Sequence, residues 1–321
     1  MPNIITHTLF ADDMIEQLEL DMLKDNRQLV QIGSSGPDIL FFHHLPWKAY
    51  VKTPLHKMGS QLHRGQTYEF YKSVLESVKK EKNPEIQQQM ISYAIGHLFH
   101  WALDSTIHPY VFYRTGNCKG QSSANHHRFE SLMDAIMLKV KRNTTIREYD
   151  VSQAVCDTRP DQKRAIARVY VPALEAVFGQ SVRPYMISET LEDWKAMQKL
   201  FRDPDDVKAG FFRALEKPAG KDNLFSGYSV PAVVEDNWDI MNLLHKEWKH
   251  PVTEDGSTES VFDLFDKAKI RAAKAAQLFL AACAMEEREE EFLDFVKDIN
   301  YDTEYEDVSE VHCFELADLS I

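Results

Sequence analysis

Apolar side chains recur every three or four residues along most of this 321-residue chain. Residues 8–24 show the spacing with Leu9, Met14, Leu18 and Met22. This is the spacing of an amphipathic helix, whose apolar residues share one face. It continues in the stretches 66–80, 85–107, 126–141, 161–178, 187–201, 206–216 and 258–299. Beyond short ambiguous pieces such as 227–234, no stretch shows the period of two that is typical of strands. The sequence therefore predicts an all-α fold.

Composition then divides this helical chain into a domain and an acidic end. Glycine, proline and small polar residues predict long loops at 33–37, 116–125 and 217–231. No internal repeat is visible, so we expect a single domain over residues 1–285. Residues 286–321 contain fourteen acidic and only two basic side chains. Such a charge run indicates a solvated helix end followed by a tail, which we expect to be dispensable for chemistry.

The net charge of −13 comes almost entirely from that acidic end, which argues against a dedicated nucleic-acid binder with its basic stripe. The first twenty residues contain four acidic side chains where a signal peptide needs an apolar run. No stretch reaches the roughly eighteen apolar residues of a membrane span, and no basic amphipathic helix for membrane docking is evident. The four cysteines lie at least 30 residues apart. We therefore expect a reduced, cytoplasmic protein without integral membrane association.

The most informative chemistry is a set of histidines and carboxylates at helical spacing. His100, Asp104 and His108 lie four residues apart, and side chains at this spacing share one helix face. Pro109 predicts that the helix ends at His108. A second stretch places His126 and Glu130 four residues apart, and His127 could replace His126. Imidazole and carboxylate groups one turn apart can reach a common metal ion.

Either element alone would be typical of an ordinary surface or capped pair, but two within about 30 residues favour a metal site. Asp38 follows a glycine-rich turn and His63 precedes a helix, so both are further candidate ligands. Five further histidines are expected to be solvated or core residues: His43, His44, His245, His250 and His312. Arg64, Arg114, Lys119 and Arg128 flank the candidate ligands and could bind phosphate or be ordinary surface charges.

With these residues in this order, the chain resembles the zinc-dependent phospholipase C family, which shares its fold and three-zinc cluster with fungal single-strand nucleases. The resemblance spans about residues 1–130. The matching pieces are His7, Asp38, His63 before the sequence TYEF, the HWALD motif with His100 and Asp104, then His108, and HHRFE with His126 and Glu130.

The resemblance implies a ligand set for each of about three zinc ions. Asp38, His63, His100 and Asp104 would hold the first ion, with His56 as the alternative to His63. His108, His126 and Glu130 would hold the second. His7 and Asp104 would hold the third together with the N-terminal residue. Because the chain begins Met1-Pro2, removal of the initiator methionine would leave Pro2 nitrogen as that ligand. His108 also follows Asp104 more closely than in the secreted phospholipases, so the connection between them must differ.

The implied activity is that of a zinc-dependent phosphoric ester hydrolase, in which a metal-bound hydroxide attacks phosphorus in line. Asp38 would orient the water or accept its proton, and Asp104 would bridge two ions. The expected substrate is a small phosphoester or a phospholipid headgroup. The alternative is a non-catalytic binding or scaffold protein that is stabilised by metal. An HD-type phosphohydrolase is disfavoured, since its adjacent His-Asp doublet is absent. The sequence leaves the oligomeric state open.

Overall fold

The computed structural model describes residues 4–235, 239–297, 299–304 and 310–319. Thirteen α-helices form its described part: α1 Ile4–Leu18, α2 Asp21–Asp25, α3 Arg27–Gly33, α4 Pro54–His63, α5 Thr67–Lys80, α6 Pro84–Thr115, α7 Gln121–Arg142, α8 Val151–Ala154, α9 Pro160–Phe178, α10 Pro184–Phe201, α11 Val207–Glu216, α12 Val261–Ala284 and α13 Glu289–Val296. Short 3₁₀ helices occupy Gly36–Phe42, Lys217–Ala219, Ser226–Tyr228 and Glu286–Arg288. In these ranges the only strands are β1 Trp248–Lys249 and β2 Gly256–Ser257, which pair antiparallel. The all-α prediction is confirmed.

Helix α6 runs through the centre of the molecule, and its sequence explains where it begins. Asn83 caps it by accepting hydrogen bonds from the backbone nitrogens of Glu85 and Ile86, at 3.0 and 3.3 Å. Pro84 follows at the first helical position, where a missing N–H costs nothing. Most of the helix is buried because α3, α9 and α12 pack around it.

The prediction that this helix ends at His108 is wrong, because it continues through Pro109 to Thr115. A proline inside a helix costs about 3 kcal/mol. Burial of the following turns, with Tyr110, Val111 and Phe112 each at most 2% exposed, outweighs that cost. His108 consequently stays on the same helical face as Asp104.

Two glycines allow the backbone on either side of Ser34 to pack closely against α6. A Cβ atom on Gly96 would lie 2.2 Å from the carbonyl oxygen of Val30, so only glycine allows α3 to cross α6 this closely. Gly36 has φ +49°, and a Cβ there would lie 2.1 Å from the His100 ring. The turn that leads to Asp38 is thereby held directly against the His100 imidazole.

The acidic end of the chain is partly built into the core, which differs from the expected solvated tail. Phe292, Leu293 and Val296 of α13 are buried, as is Tyr301. The helix presents these apolar residues inward while its glutamates face solvent, so the apolar spacing of 258–299 extends into the acidic end. The boundary at residue 285 stays a prediction. None of the helices in the described ranges is both long and apolar enough to cross a membrane.

Candidate metal centre

Three groups of buried imidazoles and carboxylates converge around α6, and in each group the candidate ligand atoms lie within 4.8 Å of one another. The groups are Asp38, His63 and His100; His7, His100 and Asp104; and His108, His126 and Glu130. All of these residues are less than 8% exposed. His100 belongs to two of the groups, and Asp104 Oδ1 lies 3.8 Å from His108 Nε2 of the remaining group, so the three groups are neighbours in one cluster.

Asp104 lies at the centre of this cluster. Its Oδ1 atom is 3.0 Å from His7 Nε2 and 3.8 Å from His108 Nε2. Its Oδ2 atom is 3.0 Å from His100 Nε2. The two oxygens of one carboxylate therefore face different imidazoles, which is the arrangement that a bridging ligand requires.

The second group combines α6 with α7. Glu130 Oε1 lies 3.1 Å from His126 Nε2 and 3.4 Å from His108 Nε2. His127 is further away, with Nδ1 at 3.8 Å from Glu130 Oε2, and its ring lies 4.5 Å from that of Tyr228. Of the two histidines left open by the sequence, His126 is the one that joins the group.

The structure also distinguishes between His63 and His56 as the candidate ligand next to Asp38. His63 Nε2 is 2.7 Å from Asp38 Oδ1. His56 Nε2 instead bonds the carbonyl oxygen of His43, at 2.7 Å. The structure thus brings together His7, Asp38, His63, His100, Asp104, His108, His126 and Glu130. Pro2 lies outside the described residues.

In three of the imidazoles, the Nδ1 atom points away from the cluster and donates a hydrogen bond to a backbone carbonyl. Nδ1 of His63 donates to Gly59 at 2.8 Å, Nδ1 of His100 to Ser34 at 3.0 Å, and Nδ1 of His108 to Tyr301 at 2.9 Å. A carbonyl only accepts, so each Nδ1 carries the hydrogen and each Nε2 faces the cluster. This is how proteins orient imidazoles that bind metals.

The donor set fits a transition metal. His63 Nε2, His100 Nε2 and Asp38 Oδ1 are buried and, among the described residues, make no hydrogen bond. His63 Nε2 and Asp38 Oδ1 are close, but their alignment is not that of a hydrogen bond. Buried polar atoms normally have partners. Zinc bound by nitrogen and carboxylate oxygen at about 2.0–2.2 Å would satisfy all three atoms.

The charges of the cluster also suit a cation. Burial alone would raise the pKa of Asp104, but the charges of His100, His108 and His7 hold it well below its ordinary value. Burial opposes protonation of His63 and His108, yet the neighbouring carboxylates raise the pKa of each to about 9. Without an ion, protons on these imidazoles balance the carboxylates. An ion must displace those protons, so its binding is coupled to their release.

Sequence reasoning missed two residues near the cluster, Tyr301 and Asp302. The Tyr301 ring lies 5.4 Å from the His63 ring and 5.6 Å from the His100 ring, and its carbonyl holds His108. Asp302 Oδ1 is 3.9 Å from His108 Nδ1, and burial raises the pKa of its carboxyl group. No spacing signal could have found them, because almost 200 residues separate them from His108.

A fourth convergence lies outside this cluster, where His43 Nε2 is 3.5 Å from Glu189 Oε2 and His44 Nε2 is 4.0 Å from it. His43 is buried, as expected for a core residue, and α10 brings a carboxylate to both histidines from far along the chain. Lys48 bonds the other oxygen of Glu189 and neutralises its charge.

Comparison with known proteins agrees with this geometry. A family model described as zinc dependent phospholipase C matches residues 6–179, more than half of the chain. No curated protein and no solved structure matches significantly. The matched range includes every residue of the three buried groups, from His7 to Glu130. The chain belongs to the zinc-dependent phospholipase C family.

Proposed function

We propose that this protein is a zinc-dependent phosphoesterase of the phospholipase C type that binds three zinc ions. The observation that carries the proposal is the convergence of three buried ligand groups, two of which share His100 while Asp104 lies next to His108 of the third. We assign Asp38, His63, His100 and Asp104 to one ion, and His108, His126 and Glu130 to the second. His7 and Asp104 would hold the third, with Pro2 nitrogen as a further ligand.

When bound, zinc ions supply a lowered pKa for coordinated water and positive charge for phosphoryl oxygens. Asp38 would orient the attacking water or accept its proton, because its buried Oδ1 faces the cluster without a hydrogen bond. Asp104 would hold two ions at a fixed separation. Attack on phosphorus forms one P–O bond while the P–O bond to the leaving alcohol breaks, and the alcohol takes up a proton.

A small phosphoester or a phospholipid headgroup is the substrate class that we propose. Arg64 and Lys297 line a cavity of about 290 Å³ together with Glu69 and Asn300, and Arg64 directly follows the proposed ligand His63 in the chain. Their cationic side chains would attract a phosphate group towards that opening. Cytoplasmic localisation remains part of this proposal.

The competing function is a scaffold or binding protein that uses metal for stability. Structural zinc sites are usually closed and rich in thiolates. The three groups here contain only imidazoles and carboxylates, and Cys118 lies beside His126 without belonging to its group. Such a donor set leaves positions for water and phosphate, which favours catalysis.

Elemental analysis with native mass spectrometry, together with hydrolysis of a chromogenic phosphodiester, tests the proposal. We expect three zinc ions per chain, and activity that a chelator removes and zinc restores. Asp104→Asn should lose zinc and lower hydrolysis more than about 100-fold, because the charge between two dications is gone. Asp294→Asn, on the exposed side of α13, is the matched control.

At most one ion in fully metallated protein would overturn the three-ion cluster. Full zinc content without hydrolysis of any phosphomonoester or phosphodiester in a substrate panel would favour the scaffold.

A further inference from the structure

Helix α11 exposes a stripe of large apolar side chains, and these side chains are only partly covered by the described residues. Val207, Phe211 and Leu215 are 70%, 61% and 58% exposed. Residues four apart lie on successive turns, and successive residues are about 100° apart, so these three fall within about 80° of the helix circumference. The stripe is about 12 Å long. Its opposite face is buried through Ala209 and Glu216.

Basic residues border this stripe. Lys208 lies about 20° beyond Leu215 on one side, and Lys217 about 80° beyond Val207 on the other. Residues 207–221 contain four basic side chains and one acidic side chain, within a protein of net charge −13. Lys208 donates to the carbonyls of Leu200 and Arg202. Asp205 and Asp206 precede the helix, so the positive charge increases towards its C-terminal end.

The one acidic residue of this segment is turned inward and fixes the loop that follows. Glu216 Oε1 accepts from the backbone nitrogen of Ser226 at 3.0 Å, and its Oε2 accepts from the Ser226 hydroxyl at 2.6 Å. This holds Phe225, 52% exposed, beside the helix, with its ring 5.7 Å from that of Phe212. The apolar patch is therefore a preformed surface of helix and loop.

This patch is attached to α7, the helix that carries two of the eight candidate ligands. Ser131 of α7 donates to the carbonyl of Gly227 at 2.7 Å. Gln121, at the start of α7, donates to the carbonyl of Asp222 at 2.5 Å. His126 and Glu130 lie between these two attachment points on α7.

We infer that α11 and the following loop dock this protein onto an anionic phospholipid surface. A convex apolar helix face bordered by lysines is the arrangement that lies in a membrane interface, with the apolar stripe among the acyl chains and the cations at the headgroups. The expectation that the chain has no basic amphipathic helix is thereby revised. The inference rests on the proposed function in one respect, namely that a phospholipid substrate has to be reached at a surface.

Co-sedimentation with vesicles tests the inference without relying on catalysis. We expect the protein to bind vesicles of phosphatidylcholine with phosphatidylserine, and binding to weaken as salt rises. The double variant Phe211→Ser, Leu215→Ser should bind at least about tenfold more weakly, because the apolar side chains that enter the interface are lost. Lys208→Gln with Lys217→Gln should weaken binding mainly at low salt, because these two lysines border the stripe.

The matched control is Val140→Ser with Ile270→Ser, which removes two equally exposed apolar side chains elsewhere on the surface. It should bind like the parent. Zinc content and hydrolysis of a soluble chromogenic diester should be unchanged in all variants, which separates this inference from the proposed activity. No binding of the parent to anionic vesicles, or equal binding of the Phe211/Leu215 variant, overturns it. So does a dimer in light scattering that this variant abolishes, since a second copy would then cover the stripe.

Discussion

His43 illustrates at the residue scale how burial sets the charge of an imidazole outside the metal cluster. Its Nδ1 lies 2.7 Å from Thr53 Oγ1, its ring stacks on His44 at 3.9 Å, and its Nε2 faces Glu189. Burial, followed by the charge of His44, lowers the pKa of His43 to about 4, although Glu189 opposes the shift. The ring is therefore neutral in the folded protein at neutral pH.

This lowered pKa predicts that His43 contributes to the free energy of unfolding at neutral pH and that the contribution is lost in acid. In the unfolded chain the pKa is about 6.5, so the unfolded state binds a proton first as the pH falls. The contribution is complete above about pH 6.5 and is lost towards pH 4. Between pH 7.5 and 5.0 the zinc-free protein should lose about 2 kcal/mol at most through His43, and His43→Asn should not show this loss.

Urea unfolding of zinc-free protein at both pH values measures it, with His245→Asn as a control at an exposed site. Identical pH dependence of the parent and His43→Asn would contradict the assignment.

The residues of the metal cluster show how far sequence alone reaches at this scale. The four-residue spacing of His100, Asp104 and His108 was sufficient to predict their convergence, because a helix fixes that geometry locally. His63 could not be separated from His56 by spacing, since the orientation of α4 against Asp38 decides it. Tyr301 was invisible because its role depends on a backbone carbonyl, which every residue has.

At the scale of elements, α1 matters because it presents His7 to Asp104. Asp134 of α7 fastens the first turn of α1. Its carboxylate accepts from the backbone nitrogens of Ile5 and Thr6, at 3.2 and 2.8 Å, and from the Thr6 hydroxyl at 2.6 Å. These are the donors that a helix start leaves without partners.

We predict that Asp134→Ala lowers stability by about 2–4 kcal/mol, because two buried N–H groups lose their acceptor. It should also release the third zinc ion before the other two, since α1 carries only His7 among the proposed ligands. Thermal unfolding and zinc counts during stepwise chelation measure both effects. Thr6→Val, which removes a single bond, should give a smaller change in each. Unchanged order of zinc release in Asp134→Ala would show that α1 is held by other contacts.

The helices themselves were largely predictable, because the period of apolar residues records which side of each faces the core. The exceptions have physical reasons. Pro109 disfavours the helix locally. The turns around it are nevertheless buried, and this burial depends on tertiary packing that the local sequence does not predict. In α13 the apolar residues lie among many glutamates, and the high charge of the segment indicated a solvated helix although its apolar spacing is that of a packed one.

At the scale of the whole molecule, the C-terminal segment packs against the metal cluster and α6. Trp101 Nε1 donates to the carbonyl of Ile299 at 2.9 Å, and the Tyr301 nitrogen donates to the carbonyl of His63 at 2.9 Å. The Tyr301 hydroxyl reaches that of Tyr71 at 3.2 Å. Parts of the chain more than 170 residues apart thus form one structure around the proposed ligands.

The dispensable part of the acidic end should therefore begin after residue 304. A chain that ends at Glu304 should keep three zinc ions, because Tyr301 still supports His63 and His108. A chain that ends at Lys297 should lose zinc and be strongly destabilised, since removal of a buried aromatic side chain costs about 3–5 kcal/mol. Tyr301→Phe keeps the ring and the carbonyl, so its zinc content should stay near that of the parent. Tyr301→Ala keeps the carbonyl but loses the ring, and should hold zinc less tightly than Tyr301→Phe during chelation. Full zinc content in folded protein ending at Lys297 would mean that α6 and α7 orient the ligands without the C-terminal segment.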